Sequence, residues 1–157
     1  MLKVRPMQVS DIDRVYTIEL AAHRAPWSRD ILRDCVLVGY NCQVLELHES
    51  AAQVVAYIIC RHSYGVCHIL NLCVDNSQQG KGYGRFLLEK LLNSLNQSMT
   101  TTVMLEVRPS NKIAIALYES LGFKIDTVKK GYYRDENGAE EDALLLKKQL
   151  NPEGSCP

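Results

Sequence analysis

"HILNLCVDNSQQGKGYGRFLLEKLLNSLNQ", residues 68–97, carries the transition that decides the fold. Its first eight residues, His68 to Asp75, are mostly apolar or β-compatible. Gly80, Gly82 and Gly84 follow at every second position, a spacing that suits neither a strand nor a helix interior, because glycine loses more chain entropy on ordering than any other residue. Beyond them, Leu88, Leu91, Leu92 and Leu95 recur at the i, i+3, i+4, i+7 spacing of one helical face. The stretch therefore reads strand, loop, helix. A glycine-rich turn before a helix N-terminus lets backbone N–H groups approach an anion, so the loop is a candidate phosphate site. A turn without a ligand is the plain alternative.

Spacing separates the possible phosphate loops. A dinucleotide fingerprint requires GxGxxG, but the positions three after Gly82 and Gly84 are Arg85 and Leu87. A P-loop requires GxxxxGK followed by Ser or Thr, and no such string exists. What remains is QxxGxG, from Gln79 to Gly84.

Outward from this loop, 157 residues suffice for one domain that buries about two-thirds of its unfolded surface. Residues 1–150 are expected to form that single domain, with the tail "NPEGSCP" (151–157) disordered. Eighteen basic and eighteen acidic residues cancel, which argues against nucleic acid or an anionic membrane as a partner. The N-terminus has no apolar h-region, and no run approaches the roughly eighteen apolar residues of a membrane span. Cys42, Cys60, Cys67 and Cys73 fall in apolar segments with no CxxC pair, as expected of buried thiols in a reducing cytoplasm. His23, His48, His62 and His68 show no paired ligand spacing, so no metal site is expected.

"LKVRPM" reads as an opening strand closed by Pro6. Ser10, with Asp13 three residues later, is expected to begin a helix as a capping box and carry it to Ala22. Ser28 is expected to cap a second helix containing Ile31, Leu32 and Cys35 that stops near Gly39. "CQVLEL", "VVAYIICR" and "VCHILNLCV" read as three antiparallel strands joined by short turns. After the glycine loop and its helix, "TTVMLEV" completes a β-α-β unit. "SNKIAIALYESLGF" is a helix with Ser110 as its expected N-cap, a face of Ile113, Leu117 and Leu121, and Gly122 as terminator. "FKIDTVKKGYY" and "EDALLLKKQL" form a closing hairpin around "RDENGAE". The fold class is α/β: a mixed, mostly antiparallel sheet of six to seven strands flanked by about four helices.

Glu106 is the sole acid in an otherwise apolar strand from Val103 to Val107 and lies near its carboxyl end, where α/β sheets bind ligands. A solvent-facing acid on a half-buried strand is the competing reading. Tyr118 is likewise open to a plain reading as a helix residue with its hydroxyl at the core's rim.

Taken in order, "NLCVDNSQQGKGYGR" and "LEVRPSNKIAIALYESLGF" resemble the two central motifs of the GNAT N-acetyltransferase superfamily, whose pyrophosphate loop is QxxGxG. Ile18, Glu19, Ala22, His23, Pro26, Trp27 and Ser28 match an "IE..AH..PWS" string of one branch of that family. Tyr132, Tyr133, Glu141, Asp142 and Ala143 match its C-terminal strings. That branch acetylates the N-terminal alanine of a ribosomal small-subunit protein, number eighteen. The likeness covers the chain to about Leu150. Pro109 and Gly80 depart from the branch's usual residues, at positions where neither disturbs the chemistry.

The resemblance implies that Leu72, Cys73 and Val74 offer backbone groups to the acetyl and pantetheine parts of acetyl-CoA. It implies that Gly80, Lys81, Gly82, Tyr83, Gly84 and Arg85 hold the pyrophosphate, chiefly through amides, and that Asn111 and Tyr118 also contact the cofactor. Glu106 matches the general base and Tyr118 the general acid. Transfer would then be direct, within a ternary complex, with Cys73 a structural thiol. The implied partner is a protein N-terminus, acetylated by a monomer. Acetylation of a small amine or a lysine side chain is the second enzymatic reading, and a non-catalytic acyl-CoA-binding module is the reading from another class.

Overall fold

A computed structural model of the chain describes residues 1–95, 98–134 and 137–150. The expected disorder of residues 151–157 lies outside the described residues. Among the described residues, seven strands form one sheet in the order β1-β2-β3-β4-β5-β7-β6. They are β1 (Leu2–Pro6), β2 (Asn41–His48), β3 (Ala52–Ser63), β4 (Val66–Val74), β5 (Thr102–Val107), β6 (Lys124–Arg134) and β7 (Glu140–Gln149). The α-helices are α1 (Ile12–Ala22), α2 (Arg29–Leu37), α3 (Tyr83–Leu95) and α4 (Lys112–Ser120). The expected α/β class and mixed sheet are therefore observed. Among the described residues, no helix is long and apolar enough to cross a membrane.

The chain divides into two compact units: residues 1–61 with 70–93, and residues 62–69 with those from 94 onward. In the first, β1 pairs antiparallel with β2, and β2 with β3. Ile12, Val15 and Ile18 of α1 recur at helical spacing and, with Leu32 and Cys35 of α2, join Val44, Tyr57 and Ile59 in one buried cluster. The expected face of α3 is also buried, at Leu88, Leu91, Leu92 and Leu95. Burying each such leucine contributes about 2 kcal/mol.

The start of α1 differs from expectation. Ser10 and Asp13 do not cap it; a short 3-10 turn, Val9–Asp11, precedes the helix, and the Gln8 N–H donates to Asp11 Oδ2 at 2.8 Å. Arg5 explains the choice, because its guanidinium donates to both Asp11 oxygens at 2.8 Å and fixes that carboxylate over the turn. Ser28 does cap α2, accepting from the Ile31 N–H at 3.1 Å.

In the second unit β4 pairs parallel with β5, from Val66↔Thr102 to Ile69↔Leu105. β7 lies between β5 and β6 and is antiparallel to both. The cap of α4 is Asn111, not Ser110: Asn111 Oδ1 accepts from the Ala114 N–H at 3.2 Å, while Ser110 turns to Glu141. Ile113 does not join an inward face and is 88% exposed. The buried residue of α4 is Tyr118 instead.

Candidate active site

In the first unit, the segment after β4 is organised by its own side chains. Asp75 Oδ1 accepts from the Ser77 N–H at 3.1 Å, and the Gln79 amide donates to the Val74 carbonyl at 3.3 Å and to Asn76 Oδ1 at 3.1 Å. Gly80 and Gly82 have φ of +79° and +82°, a region closed to most side chains, and a Cβ on either would meet nothing within 4 Å. The space beside the backbone is therefore open. The Phe86 N–H donates to the Gly82 carbonyl at 3.0 Å, so the amides of Gly82 to Gly84 stand ahead of the helix's own hydrogen-bond ladder. Such a turn fits a pyrophosphate. Gly84 and Arg85 lie within the first turn of α3, and Lys81 Nζ is turned back on Gln78 Oε1 at 2.9 Å.

Leu72, Cys73 and Val74 end β4, beyond the last rung of its ladder with β5 at Ile69↔Leu105. Burial pushes the Cys73 thiol up to about 12, so a thiolate nucleophile is not populated at neutral pH. The described cysteines 35, 42, 60, 67 and 73 are all buried, and none of them is in a disulfide.

The same unit contains a buried carboxylate that the sequence shows only as part of a string. Glu19 accepts from the Trp27 N–H at 2.9 Å, from Asn71 Nδ2 at 2.9 Å and from the Tyr57 hydroxyl. His23 Nε2 lies 3.4 Å from it. Glu19 thus ties the break between α1 and α2 to β3 and β4, giving a physical reason for Glu19, His23 and Trp27 to occur together.

The second unit contains Glu106. Side chains alternate along β4 and β5, and His68 is opposite Met104, two residues before Glu106, so His68 and Glu106 share a face. Glu106 Oε1 lies 2.7 Å from His68 Nε2, and Oε2 accepts from Lys129 Nζ at 3.0 Å. The Glu106 side chain is 9% exposed, against 17% for His68 and 41% for Lys129. The hydrogen bond from His68, and then that from Lys129, outweighs burial and holds the Glu106 carboxyl down at about 2. It is ionised and is not a solvent-facing acid.

Around it, Lys129 and Tyr133 share a face because β6 advances four positions from one to the other where β7 advances two, from Ala143 to Glu141. An even count preserves parity, so the bulge turns no side chain over. Burial raises the Tyr133 phenol, and the nearby Tyr132, Glu106 and Tyr118 raise it further, against Arg108. Tyr133 therefore lies within electrostatic reach of both Glu106 and Tyr118. Tyr118 is buried, its ring edge-on to Phe123 at 5.8 Å. The Arg108 guanidinium lies 4.3 Å from the centre of the Tyr133 ring and donates to Glu141 Oε1 at 3.3 Å.

The acids 140–142 are consumed within the fold: Glu141 by Ser110 and Arg108, Asp142 by the Gly131 N–H and Lys130, Glu140 by Arg134. Asn111 has its carbonyl oxygen committed to α4, so a cofactor contact from it falls to its amide nitrogen. The sequence reading passed over His68, Lys129, Arg108 and the site role of Tyr133. The available signal was phase: His68 in "VCHILNLCV" and Glu106 in "TVMLEV" both sit at the half-exposed positions of their strands.

Residues 12–123 match the acetyltransferase (GNAT) family. The chain is 36% identical over 137 residues to the [ribosomal protein bS18]-alanine N-acetyltransferase of Haemophilus ducreyi, spanning 87% of this chain and 92% of the relative. The crystal structure of the ribosomal-protein-S18-alanine N-acetyltransferase from Escherichia coli superposes with a TM-score of 0.89 at 32% identity, over 100% of this chain and 99% of that one. NAA60 of Arabidopsis thaliana in complex with acetyl-CoA shares the fold with a TM-score of 0.84 at 18% identity, over 96% and 99% of the two chains.

Proposed function

Because the chain belongs to the acetyltransferase (GNAT) family, we propose that it moves the acetyl group of acetyl-CoA onto a protein N-terminus, the terminal alanine of ribosomal protein S18. The observation that carries this reading is the ionised Glu106 carboxylate near the end of β5. The substrate rests on the names of relatives that match over nearly the whole chain.

Acetyl-CoA supplies a thioester, which only a neutral amine attacks. An α-ammonium has a pKa near 8, so it must lose its proton at the site. Glu106 attracts the ammonium and accepts its N–H hydrogen bonds, directly or through water. As the general base, Glu106 takes that proton, directly or through a water that passes it on to solvent. Backbone amides of Leu72 to Val74 receive the negative charge that develops on the thioester oxygen. Tyr118 then donates its hydroxyl proton to the departing CoA sulfur and is restored by the second proton that leaves the new amide nitrogen. Amides from Gly80 to Arg85 hold the pyrophosphate, and Asn111 contacts the cofactor. Transfer is direct, and the raised Cys73 thiol supports a path without an acyl-enzyme.

We take residues 1–150 as one catalytic domain, in view of a family match that crosses both units. It works as a cytoplasmic monomer without metal, nucleic acid or membrane, a reading supported by the buried thiols outside disulfides and the balanced charge. A peptide panel that varies the first residue tests the proposal. Ala-first peptides should be acetylated fastest, and absence of any CoA release with them would refute it.

A further inference from the structure

The ladder between β4 and β5 stops at Ile69↔Leu105, so the last residues of β4 run on without that neighbour to fix them. What grips them is α1. Asn71 and Cys73 are alternate, buried positions of β4 and face the same way. Asn71 Nδ2 donates to Glu19 Oε1 at 2.9 Å, and the Tyr57 hydroxyl, which also reaches the Cys73 thiol, donates to the same oxygen. The residues on either side of Leu72 are thus tied to one carboxylate. The other oxygen of Glu19 accepts from the Trp27 N–H, and His23 Nε2 stands 3.4 Å from Oε1. Elsewhere on α1, the Arg14 guanidinium donates to Asp75 Oδ2, and the Ala21 carbonyl accepts from Asn76 Nδ2 at 2.7 Å. The stretch from Asn71 to Asn76 therefore takes its place from α1.

We propose that Glu19 is a positioning residue for acetyl transfer, which acts through Asn71 and Tyr57 to set the end of β4 so that the amides of Leu72 to Val74 meet the thioester oxygen. The chemistry of the cluster is the reason. Burying a carboxylate and its donors costs desolvation that apolar side chains of the same volume avoid. Apolar contacts are non-directional, whereas hydrogen bonds hold their partners at set distances and angles. A satisfied polar network is thus suited to fixing a backbone whose exact place matters. Removing one oxyanion donor costs about a hundredfold to a thousandfold in kcat, so letting the donors drift costs less but is measurable. This rests on the reading of Leu72 to Val74 as the amides that receive the thioester oxygen.

The test uses the full chain, acetyl-CoA and an Ala-first peptide, with both substrates varied at a temperature below the unfolding of every variant. Asn71→Leu removes the amide that joins β4 to Glu19 and nearly keeps its volume. It should lower kcat about tenfold, with KM for either substrate within about threefold of wild type. Tyr57→Phe removes a single oxygen and should lower kcat about threefold or more. Leu32→Val, a packing loss in α2, should lower the melting temperature and leave kcat within about twofold. Folded Asn71→Leu with kcat within about twofold of wild type overturns the proposal. An equal loss of kcat in Leu32→Val also overturns it, since stability alone would then account for the effect. Should Asn71→Leu fail to fold, Tyr57→Phe decides by the same twofold criterion. If wild type acetylates the peptide while Asn71→Leu and Tyr57→Phe match it, only the role of Glu19 fails; if wild type acetylates no peptide, the reading beneath it fails as well.

Discussion

Glu19 in the first unit and Glu106 in the second are both buried carboxylates, yet their partners differ in kind. Glu19 is 1% exposed; a backbone amide, a side-chain amide and a phenol donate to it, with the His23 imidazole farther off at 3.4 Å. Glu106 keeps some exposure and faces an imidazole at 2.7 Å and an ammonium at 3.0 Å. The first arrangement spends the carboxylate's acceptors on holding a loop. The second sets it against a lysine ammonium near the end of β5, with some exposure left. An acid's partners, more than its burial, separate the structural role from the reactive one.

The comparison can be broken most directly at Glu19. Glu19→Ala strands the Tyr57 hydroxyl, the Asn71 amide and the Trp27 N–H in the interior, and should destabilise the protein by about 3 kcal/mol or more, read by denaturant unfolding. A loss under about 1 kcal/mol would show that Glu19 does not clamp the loop. Glu106→Gln should do the reverse: a drop in kcat of about a hundredfold, with acetyl-CoA affinity little changed. Gly82→Val should weaken acetyl-CoA binding about tenfold by filling the open side of the turn and straining φ of +82°, whereas Lys81→Ala should change it less than about twofold. A more damaging lysine change would contradict the amide cradle.

Smaller shifts sharpen the electrostatic side. Glu106 has a folded pKa of about 2 against an ordinary value of 4.5, so its stabilisation is complete above pH 4.5 and is lost as pH falls through 2. The stability gap between wild type and Glu106→Gln should close over that window. Lys129→Met removes the weaker of the two hydrogen bonds, so NMR titration of the Glu106 carboxyl should give a value above 2 and below 4.5. No movement would mean that Lys129 does not hold the carboxylate in solution.

What could be read from the sequence follows the range of the interaction. The glycine loop, the leucine face of α3 and Glu106 near a strand end all depend on residues close together in the chain, and all are seen in the structure. Local signals failed where a side chain from another element intervened: Arg5 of β1 selects Asp11 over Ser10 with Asp13 at the start of α1, and Glu141 of β7 draws Ser110 away from the cap of α4. The partners of Glu106 are 38 and 23 residues distant, and strand register alone brings them in. A glutamate in a motif can be recognised without structure; the imidazole and ammonium that set its charge cannot.

The most direct measurement compares two peptides under one assay: the N-terminal sequence of ribosomal protein S18, beginning with alanine, and its N-blocked counterpart containing lysine. With acetyl-CoA and the intact chain, the acetyl group should appear on the terminal nitrogen of the first peptide, with the blocked peptide left unmodified. Acetylation of the blocked peptide alone, or of neither, would contradict the account.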